Sequence, residues 1–277
     1  MKQSRPPDPR PERPDANASS QPTLAGDEQA CAAALNAGLA LQQQGQMDQA
    51  EALYKEILRS HPQHFDALQL LATLAGQRKN SAAAVELFDQ ALRIDPHHAL
   101  SLYNRGVALQ DLKRPAEALE SCDLALRVKP DYPQALNQRG IALHELKRLD
   151  EALQSFDRAL AIKPDHVEAL FNRGVALRGL KRLDEALQSY DRALLIKPDH
   201  AAALFNRGRT LLELNRPEEA IAALRLAIES GGDAEQIGYT LAALGAATVP
   251  AATPRQIVTR VFDQFASTFE QHLIGTL

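Results

Sequence analysis

The sequence predicts an all-α fold, a right-handed superhelical solenoid of antiparallel helix pairs, and three observations support this prediction. The chain repeats with a period of 34 residues, and residues 137–166 agree with residues 171–200 at 23 of 30 positions. Small residues, aromatic residues and prolines return at fixed places in each period. Apolar residues within a period lie three or four apart, which puts them on one face of a helix. One helix pair cannot bury that face alone, so the repeats are expected to stack.

Six full repeats are predicted over residues 31–234, and three columns of residues define the contact inside each helix pair. The first column is small: Gly38, Ala72, Gly106, Gly140, Gly174 and Gly208. The second is alanine throughout: Ala50, Ala84, Ala118, Ala152, Ala186 and Ala220. The third is mostly aromatic: Tyr54, Phe88, Cys122, Phe156, Tyr190 and Leu224. Small residues let two helices approach closely, while the aromatic side chain fills the space that remains.

Turn residues separate the predicted helices. In the fourth repeat the break falls at KRLD, where Asp150 is expected to cap the second helix and Pro164 to end it. The equivalent positions in the other repeats hold Pro62, Pro96, Pro130, Pro198 and Gly232. Residues 235–247 predict a degenerate seventh unit, a single capping helix.

This pattern resembles the tetratricopeptide repeat family, whose 34-residue helix–turn–helix unit has small, aromatic and terminal proline positions of this kind. The resemblance covers residues 31–234. It implies that the first helices of the pairs line a concave groove. It also implies a non-catalytic scaffold that holds another polypeptide, often an extended segment, along that groove. The expected partner is therefore a protein or a peptide.

The groove is expected to carry a row of amides beside a row of aromatic side chains. The amides are Asn36, Asn104, Gln138, Asn172 and Asn206, and the aromatic residues are Tyr103, Phe171 and Phe205. An amide both donates and accepts, so such a row can bond the backbone of an extended peptide whatever its side chains. Aromatic neighbours add apolar contact. It is equally open that the amides bond neighbouring helix backbones. The row also resembles the asparagine ladder of O-linked N-acetylglucosamine transferases, which leaves a glycosyltransferase as a weaker alternative.

Charged residues predict how one repeat meets the next. An arginine directly precedes the glycine column in four repeats, at Arg105, Arg139, Arg173 and Arg207. An aspartate lies sixteen residues before each of them, at Asp89, Asp123, Asp157 and Asp191. Where Leu71 and Leu241 replace the arginine, the matching residues are Lys55 and Arg225, and neither is acidic. We predict inter-repeat ion pairs that set the stacking register. The alternative is an arginine row that binds an anionic ligand.

Composition excludes several classes of function. The net charge of −4 gives no overall attraction to nucleic acid or to an anionic membrane. No uncharged apolar run of about 18 residues occurs, and the N-terminus has no signal-peptide core. The two cysteines, Cys31 and Cys122, do not suggest a disulfide framework and favour a cytoplasmic location.

Motifs for catalysis and for cofactors are missing from the sequence. No G-x-G-x-x-G, G-x-x-x-x-G-K-[ST] or G-x-S-x-G occurs. Four histidines recur at repeat ends and are expected to be turn residues, too far apart to share a metal: His64, His98, His166 and His200. Cys122 is expected to be a buried apolar group. The sequence therefore predicts no catalytic residue, no cofactor and no metal.

The flanking segments are expected to differ from the repeats. Residues 1–29 are polar with six prolines and predict a disordered leader. Residues 253–277 predict an amphipathic terminal helix that could cap the last repeat, because Val261, Phe265 and Phe269 follow helical spacing. This segment also resembles the helical lead-in of class I S-adenosylmethionine-dependent methyltransferase domains that follow repeat arrays in bacterial proteins. That resemblance implies an alternative function, the substrate-recruiting part of a methyltransferase whose catalytic domain is not in this chain.

Overall fold

The computed structural model describes residues 24–247, which contain thirteen α-helices and no strand. The all-α solenoid of helix pairs is thereby confirmed for this range. The helices are α1 (Leu24–Gln43), α2 (Met47–Ser60), α3 (Phe65–Gln77), α4 (Ser81–Ile94), α5 (Ala99–Asp111), α6 (Pro115–Val128), α7 (Pro133–Glu145), α8 (Leu149–Ile162), α9 (Val167–Gly179), α10 (Leu183–Ile196), α11 (Ala201–Glu213), α12 (Pro217–Glu229) and α13 (Ala234–Ala243). The chain divides between Ala67 and Leu68 into two compact units.

The N-terminal unit contains the pair of α1 and α2. A Cβ placed on Gly38 would lie 2.4 Å from Cε1 of Tyr54, so the two helices meet as the columns predict. The Tyr54 hydroxyl donates to Gln42 Oε1 at 3.2 Å. Residues 24–29 are already helical, which corrects the predicted leader of residues 1–29.

The C-terminal unit repeats one helix pair, and the glycine column governs its spacing. A Cβ on Gly140 would lie 2.4 Å from Cε1 of Phe156, and one on Gly174 would lie 2.4 Å from Cε1 of Tyr190. Phe156 and Tyr190 are fully buried or nearly so. Each second helix also packs against the first helix of the next repeat. The predicted contact between small and aromatic columns is confirmed.

The predicted degenerate seventh unit corresponds to α13. This helix packs against α12, where Ile237 and Leu241 join an apolar cluster with Leu224 and Ala227. Residues 1–23 and 248–277, including the predicted terminal helix, lie outside the described residues.

The turn inside each helix pair depends on a residue with left-handed backbone conformation. The φ angle is +57° at Lys113, +62° at Lys147 and +60° at Lys181. Asn215 takes the same place with a φ angle of +57°. This conformation ends the first helix and lets the chain reverse within a few residues. It is unusual for lysine, and the sequence patterns do not predict it.

One expectation about helix ends requires correction, and a second is extended. Asp150 does not cap α8, because Arg148 occupies the N-cap position and Asp150 falls in the first turn. Arg148 makes no side-chain cap bond and instead donates to both carboxylate oxygens of Glu151, at 2.6 and 2.7 Å. The recurring histidines are caps as well as turn residues, since Nδ1 of His166 and of His200 each accepts a backbone N–H at 3.4 Å.

The glycine column yields a test of pair spacing. We expect Gly140→Ala to lower the free energy of unfolding by about 1–2 kcal/mol, because overpacking against buried Phe156 exceeds the gain in helix propensity. Gly76→Ala is the matched control: its Cβ would meet only Ala84 Cβ, at 4.0 Å, so this variant should be neutral or up to about 1 kcal/mol more stable. Urea denaturation measures both. Equal effects of the two substitutions would contradict the conclusion that Gly140 sets the spacing of its helix pair.

The histidine caps yield a pH test. Burial and the charge of Lys197 lower the pKa of His200 below 6.5, against the opposing effects of Glu168 and Asp199. The unfolded state therefore binds more protons, and stability is lost as the pH falls below about 6.5. Asparagine can cap a helix and does not titrate. The melting temperature of His200→Asn should therefore fall less between about pH 7.5 and pH 5.5 than that of the unmodified chain. His97→Asn, an exposed position outside the caps, is the control. Parallel pH profiles for all three proteins would exclude the cap effect.

Candidate functional site

The first helices of the C-terminal unit share one continuous face. Helix α5 contacts α7, α7 contacts α9, and α9 contacts α11, whereas second helices have no comparable mutual contact within residues 68–247. We call the surface of α5, α7, α9 and α11 that points away from the second helices the groove face. Residues 34 apart on these helices form rows across it. Asn36 lies on α1 in the N-terminal unit, where it is exposed.

The amide row occupies this face but is only partly open. Asn172 Nδ2 donates to Asn137 Oδ1 at 3.1 Å, which links α9 to α7. Asn206 Nδ2 donates to the carbonyl of Ala202 in its own helix at 2.9 Å. Asn104 is half-buried, and Gln138 is 8% exposed. Asn172 thus bonds a side chain of the neighbouring helix and Asn206 a carbonyl of its own helix, and neither bond is to the backbone of a neighbouring helix. Each of these two bonds uses a single amide N–H.

The aromatic row packs onto the start of the following first helix. The Tyr103 and Tyr132 ring centroids are 5.3 Å apart, and those of Phe171 and His200 are 5.2 Å apart in a stacked geometry. Tyr132 and His200 are the N-cap residues of α7 and α11. Phe171 and Tyr103 remain half-buried, so each also presents surface on the groove face. These residues therefore join successive repeats.

A group of charged residues near the end of the groove face was not predicted. We call Arg178, Lys181, Arg209 and Glu213 the basic cluster. Glu213 accepts from Arg178 Nη1 at 3.3 Å and from Lys181 Nζ at 2.9 Å. The Arg209 guanidinium lies over the Phe205 ring, 5.7 Å from its centroid. A signal exists in the sequence, because Arg209 replaces the valine found at the equivalent place in the preceding repeat, but it does not show that the cluster assembles.

The predicted inter-repeat ion pairs are confirmed. The distances from arginine Nε to aspartate Oδ1 are 2.6, 2.7, 2.6 and 2.6 Å for Asp89–Arg105, Asp123–Arg139, Asp157–Arg173 and Asp191–Arg207. In the fourth and fifth repeats, Nη1 of the arginine also donates to a buried serine hydroxyl, Ser155 or Ser189, at 2.7 Å. Each of those serines donates onward to a carbonyl of its own helix.

The arginine column thus connects three helices. It joins the first helix of a repeat to the second helix of the preceding repeat and to the second helix of its own. Arg207 lacks the serine contact because Ala223 stands at that place. These guanidinium groups are already bonded within the scaffold, and their side chains are only 19–26% exposed. The geometry favours the structural interpretation of this column over the ligand-binding one.

The other residues that could have had a chemical role, Cys122 and His144, are packing groups of the scaffold. Cys122 is completely buried, and burial raises the pKa of its thiol to about 12. Burial also lowers the pKa of His144. Within residues 24–247, no group of three or more metal-ligating side chains is arranged to hold an ion, and no helix has both the length and the apolarity to cross a membrane.

Stacked helix pairs that share a continuous face of first helices define a helical-repeat scaffold. Two tetratricopeptide repeat models match the chain, one over residues 165–231 and one over residues 35–99, 70–133 and 103–166. These matches together extend from residue 35 to residue 231. The chain therefore belongs to the tetratricopeptide repeat family.

Solved structures show the same fold. YrrB, described as a TPR protein with an unusual peptide-binding site, is 25% identical over 64% of this chain and 91% of its own, with a TM-score of 0.52. PilF of Pseudomonas aeruginosa is 22% identical over 72% and 90%, with a TM-score of 0.63. A tetratricopeptide repeat protein of Parabacteroides merdae is 20% identical over 79% and 86%, with a TM-score of 0.61. No curated protein matches the chain.

The ion pairs can be tested by a double-mutant cycle. We expect Arg173→Met to lower the free energy of unfolding by about 1 kcal/mol, because the charged hydrogen bonds to Asp157 and Ser189 are lost from a partly exposed site. Asp157→Asn in the Arg173→Met background should add little. Arg207→Met is the control, with a smaller loss because its serine contact is absent. Additive effects at residues 157 and 173, measured by urea denaturation, would refute the coupling.

Proposed function

We propose that this chain is a protein-interaction scaffold that binds an extended polypeptide segment along the groove face. The observation that carries the proposal is the juxtaposition of the first helices α5, α7, α9 and α11, which aligns half-buried amide and aromatic side chains in rows. Such rows suit a partner whose backbone is extended, since amides bond backbone groups and aromatic rings contact its side chains.

The bonds already made by the amides are compatible with this role. Asn172 uses one N–H toward Asn137, which orients its side chain across the gap between α7 and α9. The amide oxygen and the second N–H are not needed for that bond. A peptide backbone has alternating donors and acceptors and can use both. The intramolecular bond would therefore preorganise the amide, which lowers the entropy cost of binding.

The similarity to YrrB supports peptide binding as the general role, since that protein is described as having a peptide-binding site. The identity of the partner is not encoded in the fold. A non-catalytic role in the cytoplasm remains the expectation from the sequence. The methyltransferase alternative depends on residues 253–277, outside the described residues, and no observation in residues 24–247 favours it.

The proposal can be tested without a known ligand. Short random peptides displayed on phage would be selected on the full chain, and their affinities measured by calorimetry. We expect Asn172→Ala with Asn206→Ala to weaken the selected peptides by about tenfold or more, because two backbone hydrogen bonds are lost.

The matched control is Gln154→Ala with Gln188→Ala, which removes two exposed amides from the second helices α8 and α10. This control should bind like the unmodified chain. The proposal would be contradicted if the peptides bound the groove variant normally but no longer bound the control. Binding would then depend on the second helices. Thermal unfolding of each variant shows whether the scaffold is intact.

A further inference from the structure

Positive charge exceeds negative charge in the basic cluster. Three cations, Arg178, Lys181 and Arg209, share the single carboxylate of Glu213, whose oxygens already accept from Arg178 and Lys181. At the equivalent edge two repeats earlier, one cation meets one carboxylate, since Lys113 Nζ lies 3.6 Å from Glu145. The groove face therefore changes from balanced charge to an excess of positive charge along its length.

Arg209 is the cation of the cluster that forms no ion pair. It is half-buried, and among the carboxylates of residues 68–247 none forms an ion pair with it. Burial lowers the pKa of Arg209, and the neighbouring charge of Arg178 lowers it further, against the opposing effects of Glu213 and Tyr190. A partly desolvated cation without a carboxylate partner is unfavourable. A bound anion at this place would remove that penalty.

Arg178 makes a single ion pair within the cluster, and its side chain is 18% exposed. Its Nε atom is buried and has no hydrogen-bond partner. The neighbouring Tyr190 hydroxyl is also buried: burial raises the pKa of Tyr190 to about 12, and the nearby Arg178 opposes that rise. Within residues 68–247, the ion pair of Arg178 is the one to Glu213, with Nη1 3.3 Å from Oε1, and Glu213 has a shorter contact to Lys181 at 2.9 Å. Turning Arg178 toward a ligand would break the long contact to Glu213 and shift the guanidinium relative to Tyr190, while Glu213 would stay paired with Lys181.

We propose that Arg178 and Arg209 together bind the carboxylate of an acidic side chain within the segment that lies along the groove face. This inference rests on the proposed function and adds the chemistry of the partner. Guanidinium groups bind carboxylates through paired N–H bonds, and the excess positive charge favours an acidic segment over a neutral one. Phe205, beneath Arg209, supplies an apolar surface for the residue next to the acidic one.

The test uses random peptides selected on the full chain. Selected peptides should share an aspartate or glutamate at a fixed distance from an apolar or aromatic residue. Replacing that glutamate by glutamine should weaken binding by about tenfold or more, and the loss should shrink at high salt. On the double variant Arg178→Gln, Arg209→Gln the same replacement should have little effect, because the charge pair is already absent. Arg158→Gln, an exposed arginine on α8, is the control and should behave like the unmodified chain.

Two further variants distinguish a loss of binding from a loss of folding. Arg209→Lys keeps the charge without the paired donors and should weaken acidic peptides only in part. Arg209→Glu should recover binding when the acidic residue of the peptide is changed to lysine. Failure of both, with normal thermal unfolding, would overturn the inference.

The remaining outcomes separate this inference from the proposed function. Peptides that depend on Asn172 and Asn206 but not on an acidic residue would overturn the inference and leave the proposed function standing. Peptides that lose binding when their C-terminus is amidated, and not when the acidic side chain is changed, would assign the cluster to a terminal carboxylate and overturn the inference as stated. Selection of no groove-binding peptide would overturn both.

Discussion

The close approach of the two helices in each pair is the constraint on which the rest of the structure depends. Gly140 and Gly174 leave room for the rings of Phe156 and Tyr190, which are buried where a Cβ would otherwise lie. This contact uses the inner side of each first helix and leaves its opposite side without a partner in the same repeat. The groove face is that opposite side, so the packing inside the pairs creates the surface available for binding.

Polar contacts then align the pairs with one another. Apolar side chains between repeats stabilise the stack, but they tolerate small displacements better than directional bonds do. Arg139 and Arg173 supply such bonds, since each reaches an aspartate of the preceding repeat and a serine of its own. Fixed alignment keeps residues 34 apart on one face. The arginine column therefore holds the rows of the groove face in register.

Specificity is expected where the repeats differ. The columns that build the scaffold hardly change, whereas positions on the groove face vary from one repeat to the next. Gln110, His144 and Arg178 are equivalent, as are Val175 and Arg209. These substitutions change charge and polarity along the face while the backbone stays the same. A repeated scaffold thus presents a non-repeated surface, which a single extended partner can recognise in one register and one direction.

The sequence by itself determined the helix pairs, the spacing columns and the inter-repeat ion pairs, because a fixed period turns each column into several independent observations of one contact. Only the tertiary structure decided which way the groove amides bond, as with Asn172 toward Asn137. It also decided that lysines such as Lys147 adopt a left-handed turn. The basic cluster needed the structure as well. Arg178 and Arg209 belong to different columns, so no periodic pattern links them, and they influence each other because stacking places α9 beside α11.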